Sequence, residues 1–383
     1  MLRVGILVAA LVGVAATPPL LGLTAAPAQA VAPTPVVAAP AKGTEVCVIA
    51  DERLIEISGM VATDDGYVVV NDSADLESRR KVFFLDRSCK VTRTVSYPSR
   101  PRDTEDVAIA RDGTIWIADI GDNDRARTNV ALWKLAKGAK APVLHRLSYP
   151  DGAHDAEALL LAGDGTPIVV TKDPGTPRLY VPDGPLRAGA TVRMRKVGEL
   201  SLPRTGTDNP WSAFGRLMVT GGATAPDGSR VVLRTYADAI EFDVTDGNVV
   251  EAVTRGVPRI TPLPDEPQGE SITYSRDGRL LLTVSETSDQ PATTRPTVLG
   301  YTPAGRTAPA PAASTTGPAS PSTSESSSSE PNGSGSSASP ASSRAQPAEG
   351  PDGVFVARLL GGLGLAMLAL AIVGVLGVLA FRR

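Results

Sequence analysis

Three glutamates recur at one place in a repeated phrase, and their side chains are the first candidates for chemistry. Glu105, Glu157 and Glu270 each begin an apolar stretch that leads through a glycine-containing turn into a second apolar stretch. Carboxylates drawn together from separate repeats could ligate Ca²⁺, which takes about six to eight oxygen ligands in flexible geometry. Asp119, which ends a second stretch, and Asp122, just beyond it, complete the predicted set of metal ligands.

A second set of polar residues closes or follows the second apolar stretches and is predicted to bind a ligand. The set consists of Asn71, Asp72, Lys172, Arg234 and Glu286. Lys172 and Arg234 could hold an anionic group, or could neutralise the carboxylates. The alternative is a network of ion pairs that satisfies itself and has only a structural role. For Asp122 the alternative is an Asx-turn within Ile120–Asp124.

Histidine is scarce, because the chain contains only His145 and His154. His154 lies just before Glu157 and is the predicted general base, with a satisfied surface histidine as the alternative interpretation. Two histidines exclude a zinc site built from several imidazoles. The chain has no Gly-x-Ser-x-Gly, no phosphate-binding P-loop and no Gly-x-Gly-x-x-Gly, so serine hydrolases and nucleotide-dependent enzymes lose support.

The repeated phrase predicts an all-β fold of the β-propeller class. Its turn glycines, Gly66, Gly113, Gly165, Gly228 and Gly278, are separated by 47, 52, 63 and 50 residues, a spacing typical of propeller blades. One repeat shows four apolar stretches at 105–110, 114–120, 130–135 and 143–149, as four short strands would. We predict five blades over 44–303, with six as the alternative because the longest interval could contain a degenerate unit. A β-sandwich is the remaining alternative.

A propeller would gather the polar residues at one end of its central channel. The first strand of each blade lines the channel and begins on the face where the second strand ends. The predicted first-strand positions are Ser58, Glu105, Glu157, Thr220 and Glu270. The Asp-Gly turns would lie on the opposite face as hairpin turns, in which glycine supplies a positive φ.

The two cysteines, Cys47 and Cys89, are predicted to form a disulfide, with two free buried thiols as the alternative. The fifth repeat has only three apolar stretches, so Glu45–Ile49 is predicted to supply its fourth strand and close the ring. A Cys47–Cys89 bond would then hold this closing strand beside the first blade.

Both ends of the chain indicate export and membrane anchoring. Residues 1–30 are predicted to be a signal peptide, followed by a linker over 31–43. A disordered stalk rich in Ser, Pro and Ala is predicted over 304–353. The segment 354–383 includes 23 residues, 359–381, without a charge, and is predicted to form a transmembrane helix ahead of a basic cytoplasmic tail. The expected location is the cell membrane, with a single pass and the propeller outside.

The charge of the chain excludes one class of partner. The formal net charge is −3 in 383 residues, and no basic patch with interleaved aromatic residues occurs. Proteins that bind nucleic acids need such a patch to neutralise phosphates, so a nucleic-acid partner is not expected.

Four phrases resemble those of an uncharacterised group of secreted or membrane-anchored actinobacterial propeller proteins. The phrases are Asp103–Asp106, Ile117–Asn123, His154–Glu157 and Gln268–Ser271, and the resemblance covers most of 44–303. More distantly, the channel glutamates resemble those of the phytase-like and gluconolactonase-type calcium-dependent propellers. That wider resemblance implies a metal at the channel mouth. Lys172 and Arg234 depart from an all-acidic calcium ring.

Two functions are compatible with these features. The first is a membrane-tethered binding or sensor module of the cell envelope, with a small polar or anionic ligand, or an envelope protein, at the channel mouth. The alternative is a calcium-dependent hydrolase of esters, lactones or phosphoesters, with His154 as base. Binding is favoured because the sequence does not supply a complete catalytic set.

Overall fold

The computed structural model describes residues 34–72, 76–264 and 266–306. These residues form 21 strands and two short helices, so the all-β prediction is confirmed. The N-terminal segment supplies two strands that complete sheets formed much later in the chain: β1 (Val36–Val37) and β2 (Thr44–Val48). Strand β1 lies within the segment that the sequence predicted to be a linker.

Three units of four consecutive antiparallel strands follow. Unit 1 comprises β3 (Ile57–Ala62), β4 (Gly66–Asn71), β5 (Lys81–Asp86) and β6 (Val91–Ser96). Unit 2 comprises β7 (Thr104–Ile109), β8 (Ile115–Asp119), β9 (Val130–Leu135) and β10 (Val143–Ser148). Unit 3 comprises β11 (Ala156–Leu161), β12 (Pro167–Thr171), β13 (Arg178–Pro182) and β14 (Thr191–Glu199).

Units 4 and 5 are completed by the N-terminal strands. Unit 4 follows helix α1 (Ser212–Gly215) and comprises β15 (Val219–Thr224), β16 (Arg230–Thr235), β17 (Asp238–Asp243), helix α2 (Val249–Arg255) and β18 (Arg259–Pro262). Strand β1 pairs with β18 in parallel. Unit 5 comprises β19 (Gln268–Tyr274), β20 (Leu281–Glu286), β21 (Thr297–Tyr301) and, antiparallel to β21, β2. The predicted closing strand is therefore confirmed.

The first strands of the units close a ring. Strand β3 contacts β7, β7 contacts β11, β11 contacts β15, β15 contacts β19, and β19 returns to contact β3. A hydrophobic cluster lies between each pair of neighbouring units, and the cluster that joins units 5 and 1 contains Phe83 and Val284. This arrangement of four-stranded sheets around an axis is that of a β-propeller. In addition, the outer strands β10 and β14 pair in parallel and join units 2 and 3 into one sheet of eight strands.

The Asp-Gly turns have the structural role that the sequence predicted. All five turn glycines have positive φ, for example 83° at Gly113, a conformation that side chains rarely tolerate. Asp112 accepts a hydrogen bond from the Thr114 N–H at 2.8 Å, and Asp164 accepts one from the Thr166 N–H at 2.9 Å. These bonds lower the pKa of both carboxyl groups.

The predicted disulfide is confirmed. Cys47 in β2 and Cys89, in the turn between β5 and β6, are bonded, with their Cα atoms 5.8 Å apart. The bond links the strand that completes unit 5 to unit 1.

No helix among the described residues is long and apolar enough to cross a membrane. The predicted signal peptide at 1–30, most of the predicted stalk and the apolar segment 359–381 lie outside the described residues.

Candidate functional site

A one-residue register shift, the mark of a β-bulge, interrupts all five first strands at the same place. The residues skipped in the pairing with the second strands are Ser58, Glu105, Glu157, Thr220 and Glu270. We call these five residues the inner ring. A bulge takes its extra residue out of the ladder and re-aims its side chain, and bulges are frequent beside active sites. The five positions aligned from sequence are therefore structurally equivalent.

Inner-ring residues connect neighbouring units directly. The Ser58 hydroxyl lies 2.6 Å from the Glu105 carbonyl oxygen and 2.9 Å from Glu105 Oε2. In the same way, the Thr220 hydroxyl donates to the Gly269 carbonyl at 2.8 Å. All five inner-ring side chains are buried. The three glutamates thus occupy equivalent, desolvated positions on units 2, 3 and 5.

A second set of residues surrounds the inner ring and is called the outer ring. In each unit, one second-strand residue pairs with the first-strand residue that precedes the bulge. The outer-ring member is the next residue in the sequence after that second-strand residue. The five members are Asp72, Ile120, Lys172, Tyr236 and Glu286. The two rings together form what we call the channel mouth. Of the predicted ligand-binding residues, Asp72, Lys172 and Glu286 belong to it.

Three carboxylates come together between units 1 and 2. One oxygen each from Asp72, Asp103 and Glu105 lies within 4.8 Å of the others, a spacing that a single metal ion could bridge. Asp119 positions Asp103, because its carboxylate accepts hydrogen bonds from the N–H groups of Arg102 at 3.1 Å and Asp103 at 3.0 Å. We call Asp72, Asp103 and Glu105 the carboxylate triad.

Because Gly121 has no side chain, two carboxylates of the triad can lie against its backbone. A Cβ atom at this position would collide with Glu105 Oε1 and with the carboxylate of Asp103. The glycine therefore lets two acidic side chains lie against the backbone that follows β8.

Glu157 lies beside the triad with one half of its carboxylate engaged. The Lys172 ammonium donates to Glu157 Oε1 and lies 3.1 Å from the Tyr236 hydroxyl. Glu157 Oε2 is buried and has no hydrogen-bond partner among the described residues. A buried carboxylate oxygen without a partner is costly, so Oε2 is an acceptor that a cation or a hydrogen-bond donor could satisfy.

The remaining carboxylates of the mouth share one amide. Gln268 Nε2 donates to Glu270 Oε1 at 2.9 Å and to Glu286 Oε2 at 2.5 Å. Ser288 also donates to Glu286. Glu270 therefore lies at the mouth as predicted, but its carboxylate is hydrogen-bonded to the Gln268 side-chain amide.

Burial and mutual repulsion shift the protonation of the mouth. Burial raises the pKa of Glu105 well above its usual range, and the charges of Asp72 and Glu157 raise it further. Burial, Glu157 and Glu286 likewise raise the pKa of Glu270. Burial raises the pKa of Glu157 to about 7, although Lys172 opposes the shift. Burial lowers the pKa of Lys172, but the contact with Glu157 outweighs it and the net pKa is raised, so the lysine stays charged.

Asp106 lies one residue beyond Glu105 and ties three units together. Its fully buried carboxylate accepts hydrogen bonds from the N–H groups of Val107 at 2.8 Å, Leu159 at 2.8 Å and Gly222 at 3.3 Å. Leu159 lies in unit 3 and Gly222 in unit 4, so the side chain fixes the first strands below the mouth.

Asp119 and Asp122 were predicted as metal ligands, and the structure places both in loop-organising contacts. Besides its bonds to the loop backbone, Asp119 accepts from Arg127 at 2.8 Å and from the Trp133 indole at 3.2 Å. Asp122 accepts from the N–H groups of Ala126 at 3.0 Å and Arg127 at 2.8 Å. Neither residue belongs to the triad.

The contacts of His154 lie outside the two rings of the mouth. Its Nε2 lies 3.1 Å from Asp151 Oδ1 and 3.1 Å from the Tyr180 hydroxyl. Arg178 donates to Nδ1 at 3.2 Å, which assigns the ring proton to Nε2. None of these partners belongs to either ring. The alternative to a base was a satisfied surface histidine; the structure shows a histidine with hydrogen-bond partners, but a buried one.

Arg234 is buried between units 4 and 5 instead of facing the mouth. Its guanidinium pairs with Glu266 at 2.5 Å and donates to the Ser271 carbonyl at 2.8 Å. Asn71 also makes backbone contacts: its amide donates to the carbonyl oxygens of Arg53 at 2.8 Å and Arg79 at 3.1 Å.

Sequence reasoning missed three residues of the site. Asp103 was quoted within a phrase but not assigned, because it precedes the strand that carries Glu105. Tyr236 was missed because Arg234 was aligned in its place. Gln268 gave no charge signal, although it lies only two residues from Glu270 and its amide reaches that carboxylate.

Comparisons with known proteins leave the function open. No protein-family model matches the sequence, and no curated protein matches it. Among solved structures, a gluconolactonase from Xanthomonas campestris is 14% identical, with 72% of this chain and 99% of that chain covered at a TM-score of 0.37. A luciferin-regenerating enzyme is 12% identical, with 65% and 80% covered at 0.37. The PQQ-bound aldose sugar dehydrogenase from Streptomyces coelicolor is 11% identical, with 69% and 99% covered at 0.36. Similarities this low do not identify an activity.

Proposed function

We propose that the channel mouth binds a divalent cation, Ca²⁺, and through it a small polar or anionic ligand. The observation that carries this proposal is the carboxylate triad, with one oxygen of each member within 4.8 Å of the others, beside Glu157 Oε2, which has no hydrogen-bond partner in the described part of the chain. Burial raises the pKa of Glu105 and repulsion from Asp72 and Glu157 raises it further; a cation would compensate that repulsion.

The donor set selects the type of metal. Asp72, Asp103, Glu105 and Glu157 offer only carboxylate oxygens, which suit hard cations. Ca²⁺ tolerates irregular geometry and mixed ligands, so ligand oxygens can complete its coordination. When bound, the ion would supply positive charge and polarise an oxygen of the ligand. Lys172 would contribute a second, fixed positive charge next to it.

We further propose that the five units are the five blades of one propeller. The closed contacts of the first strands support this number. The interval between Gly165 and Gly228 supports it as well, because that described segment contains α1 and a long β14, not another four-stranded sheet.

The setting of the domain is part of the proposal. A signal peptide, a stalk over 304–353 and a spanning segment over 359–381 would hold the propeller outside the cell membrane as a binding or sensor module. The disulfide agrees with an oxidising compartment. Protease treatment of intact, wall-stripped cells should release the domain by cleavage in the stalk. A fully protected domain would reverse the proposed orientation.

A calcium-dependent hydrolase of esters, lactones or phosphoesters is the second candidate, and Glu157 favours it. Its pKa of about 7 and its position beside the triad are those of a general base. In this version Glu157 replaces His154, whose two ring nitrogens are engaged by Asp151 and Arg178. Turnover of ester, lactone or phosphoester substrates that requires Ca²⁺ and is lost in E157Q would establish this version.

Calorimetric titration of the purified full-length chain with Ca²⁺ tests the binding proposal. Wild-type protein should bind Ca²⁺, and D103N and E105Q should lose this binding. The matched control is E199Q, because Glu199 is an exposed carboxylate paired with Lys196 on an outer strand. Chelation should lower the melting temperatures of wild type and E199Q, but not those of D103N and E105Q, because a ligand that binds only the folded state stabilises that state. Absence of binding at millimolar Ca²⁺ would refute the proposal.

A further inference from the structure

The connection between units 3 and 4 exposes two large aromatic side chains. Trp211 is 43% exposed and Phe214 is 67% exposed, and both lie in the segment 200–218 that contains α1. The other two tryptophans, Trp116 and Trp133, are only 7% and 1% exposed. Exposed tryptophan is unusual on a folded domain and is enriched at binding sites.

Trp211 is in contact with a residue of the channel mouth. The Trp211 ring packs on Tyr236, with ring centroids 5.5 Å apart and planes tilted by 36°. Tyr236 belongs to the outer ring, and its hydroxyl lies 3.1 Å from Lys172 Nζ. Lys172 in turn contacts Glu157. A chain of contacts therefore leads from the exposed Trp211 ring to the buried charged groups of the mouth.

Hydrogen bonds fix the segment that carries Trp211. Asp238, which is buried, accepts from the hydroxyls of Thr205 at 2.5 Å and Thr207 at 2.6 Å. Asn209 Oδ1 accepts from the Trp211 N–H at 2.9 Å. The ring is thus presented by an ordered loop, and little conformational entropy would be lost when a ligand covers it.

We infer that the ligand of the mouth is a saccharide. This inference rests on the proposed function. A sugar ring has an apolar C–H face that can pack on Trp211 and hydroxyl groups that can donate to carboxylates or complete the coordination of Ca²⁺. An apolar ligand would leave the buried carboxylates unsatisfied. An organic cation is disfavoured at the aromatic end, because the Lys172 ammonium already occupies the position beside Tyr236.

Tryptophan fluorescence makes Trp211 a direct reporter. The experiment uses the purified full-length chain in Ca²⁺ and a panel of glucose, galactose, mannose, N-acetylglucosamine, arabinose, glucuronate and their oligomers. A bound sugar should shield Trp211 from acrylamide quenching, and W211F should lose this response because its two remaining tryptophans are buried. By calorimetry, W211A should bind the sugar about tenfold or more weakly, whereas W211F should retain most of the affinity.

Two chemical controls separate the alternatives. Cyclohexanol offers a similar apolar ring without vicinal hydroxyls, and tetramethylammonium offers a cation for the aromatic surface; neither should shield Trp211. Shielding by tetramethylammonium alone, failure of every sugar in the panel to shield Trp211, or equal sugar affinity in W211A and wild type would each overturn the inference. Ca²⁺ titration of the same samples keeps the two proposals apart. If the wild-type protein binds Ca²⁺ but no sugar shields Trp211, only the saccharide inference is refuted. If the wild-type protein does not bind Ca²⁺, the proposed metal site is refuted.

Discussion

Lys172 donates to one carboxylate oxygen of Glu157 and leaves the other oxygen without a hydrogen-bond partner among the described residues. The lysine therefore compensates one carboxylate of the mouth only in part. Burial raises the pKa values of Glu105 and Glu270, and the charge of Glu157 raises both further. We therefore expect the mouth to respond to protons and to added cations.

The first prediction concerns pH. The pKa of Glu157 rises from its ordinary value of 4.5 to about 7 in the folded protein, so the folded state binds more protons than the unfolded state between these values. Without Ca²⁺, Glu157 by itself should therefore contribute a fall of about 3 kcal/mol in the free energy of unfolding as pH rises from 4.5 to 7. Urea denaturation in chelator at several pH values measures this. E157Q should flatten the dependence, and an unchanged slope in E157Q would contradict the assignment.

The second prediction concerns Arg234, which is paired with Glu266 in the interface between units 4 and 5. R234A should lower the free energy of unfolding by about 3–5 kcal/mol, because it leaves a buried carboxylate without its cation. Arg255 provides the control, since its side chain is 80% exposed and lies 3.9 Å from Glu251. R255A should change stability by at most about 0.5 kcal/mol. Similar effects of the two substitutions in denaturant titrations would show that Arg234 has no such role.

The error at Arg234 shows what the sequence could and could not predict. The inner ring was predictable because each of its residues begins a first strand at the same point of a repeated phrase. The outer ring was predictable only in part, at Asp72, Lys172 and Glu286, because the distance from turn glycine to outer ring varies, being six residues for Asp72 and eight for Tyr236. By register, Arg234 is equivalent to the buried Val70 of unit 1.

One signal in the sequence could have corrected the alignment. Gly269 precedes the bulge of unit 5, where the other units have larger residues, and a Cβ there would collide with the Arg234 guanidinium. Glycine at this position therefore makes room for a large side chain from the neighbouring unit. The triad could not be predicted either, because Asp72, Asp103 and Glu105 lie on two units and meet only once the ring has formed.

The third prediction concerns the disulfide. Cys47 and Cys89 join the closing strand of unit 5 to unit 1 across 42 residues of sequence. Replacement of both cysteines by serine should lower the free energy of unfolding by about 2–4 kcal/mol, because the unfolded chain regains the entropy of an open loop. Denaturation with and without reductant measures the effect. Wild type in reductant should approach the variant, and a variant as stable as the oxidised wild type would contradict the prediction.

The fourth prediction concerns Asp106, whose carboxylate accepts three backbone hydrogen bonds below the mouth. D106A should destabilise the domain by about 2–5 kcal/mol, because buried N–H groups in units 2, 3 and 4 lose their acceptor. D106N should be less harmful, since its amide keeps one acceptor oxygen. Hydrogen exchange of the Leu159 and Gly222 amides provides the local readout. Unchanged protection of both amides in D106A would show that the carboxylate does not brace these strands.

The last prediction compares two glycines that differ in the free space around them. Gly121 borders the carboxylate triad, and a Cβ there would displace Glu105 and Asp103, whereas a Cβ at Gly206 would meet nothing within 4 Å. Neither glycine has a positive φ. G121A should therefore weaken Ca²⁺ binding by about tenfold or more, because ligand geometry sets affinity in such sites. G206A should bind Ca²⁺ as wild type does. Calorimetric titration compares the two, and melting curves at saturating Ca²⁺ and in chelator separate loss of the site from loss of the fold. Equal Ca²⁺ affinity in G121A and G206A would mean that the triad is not where the cation binds.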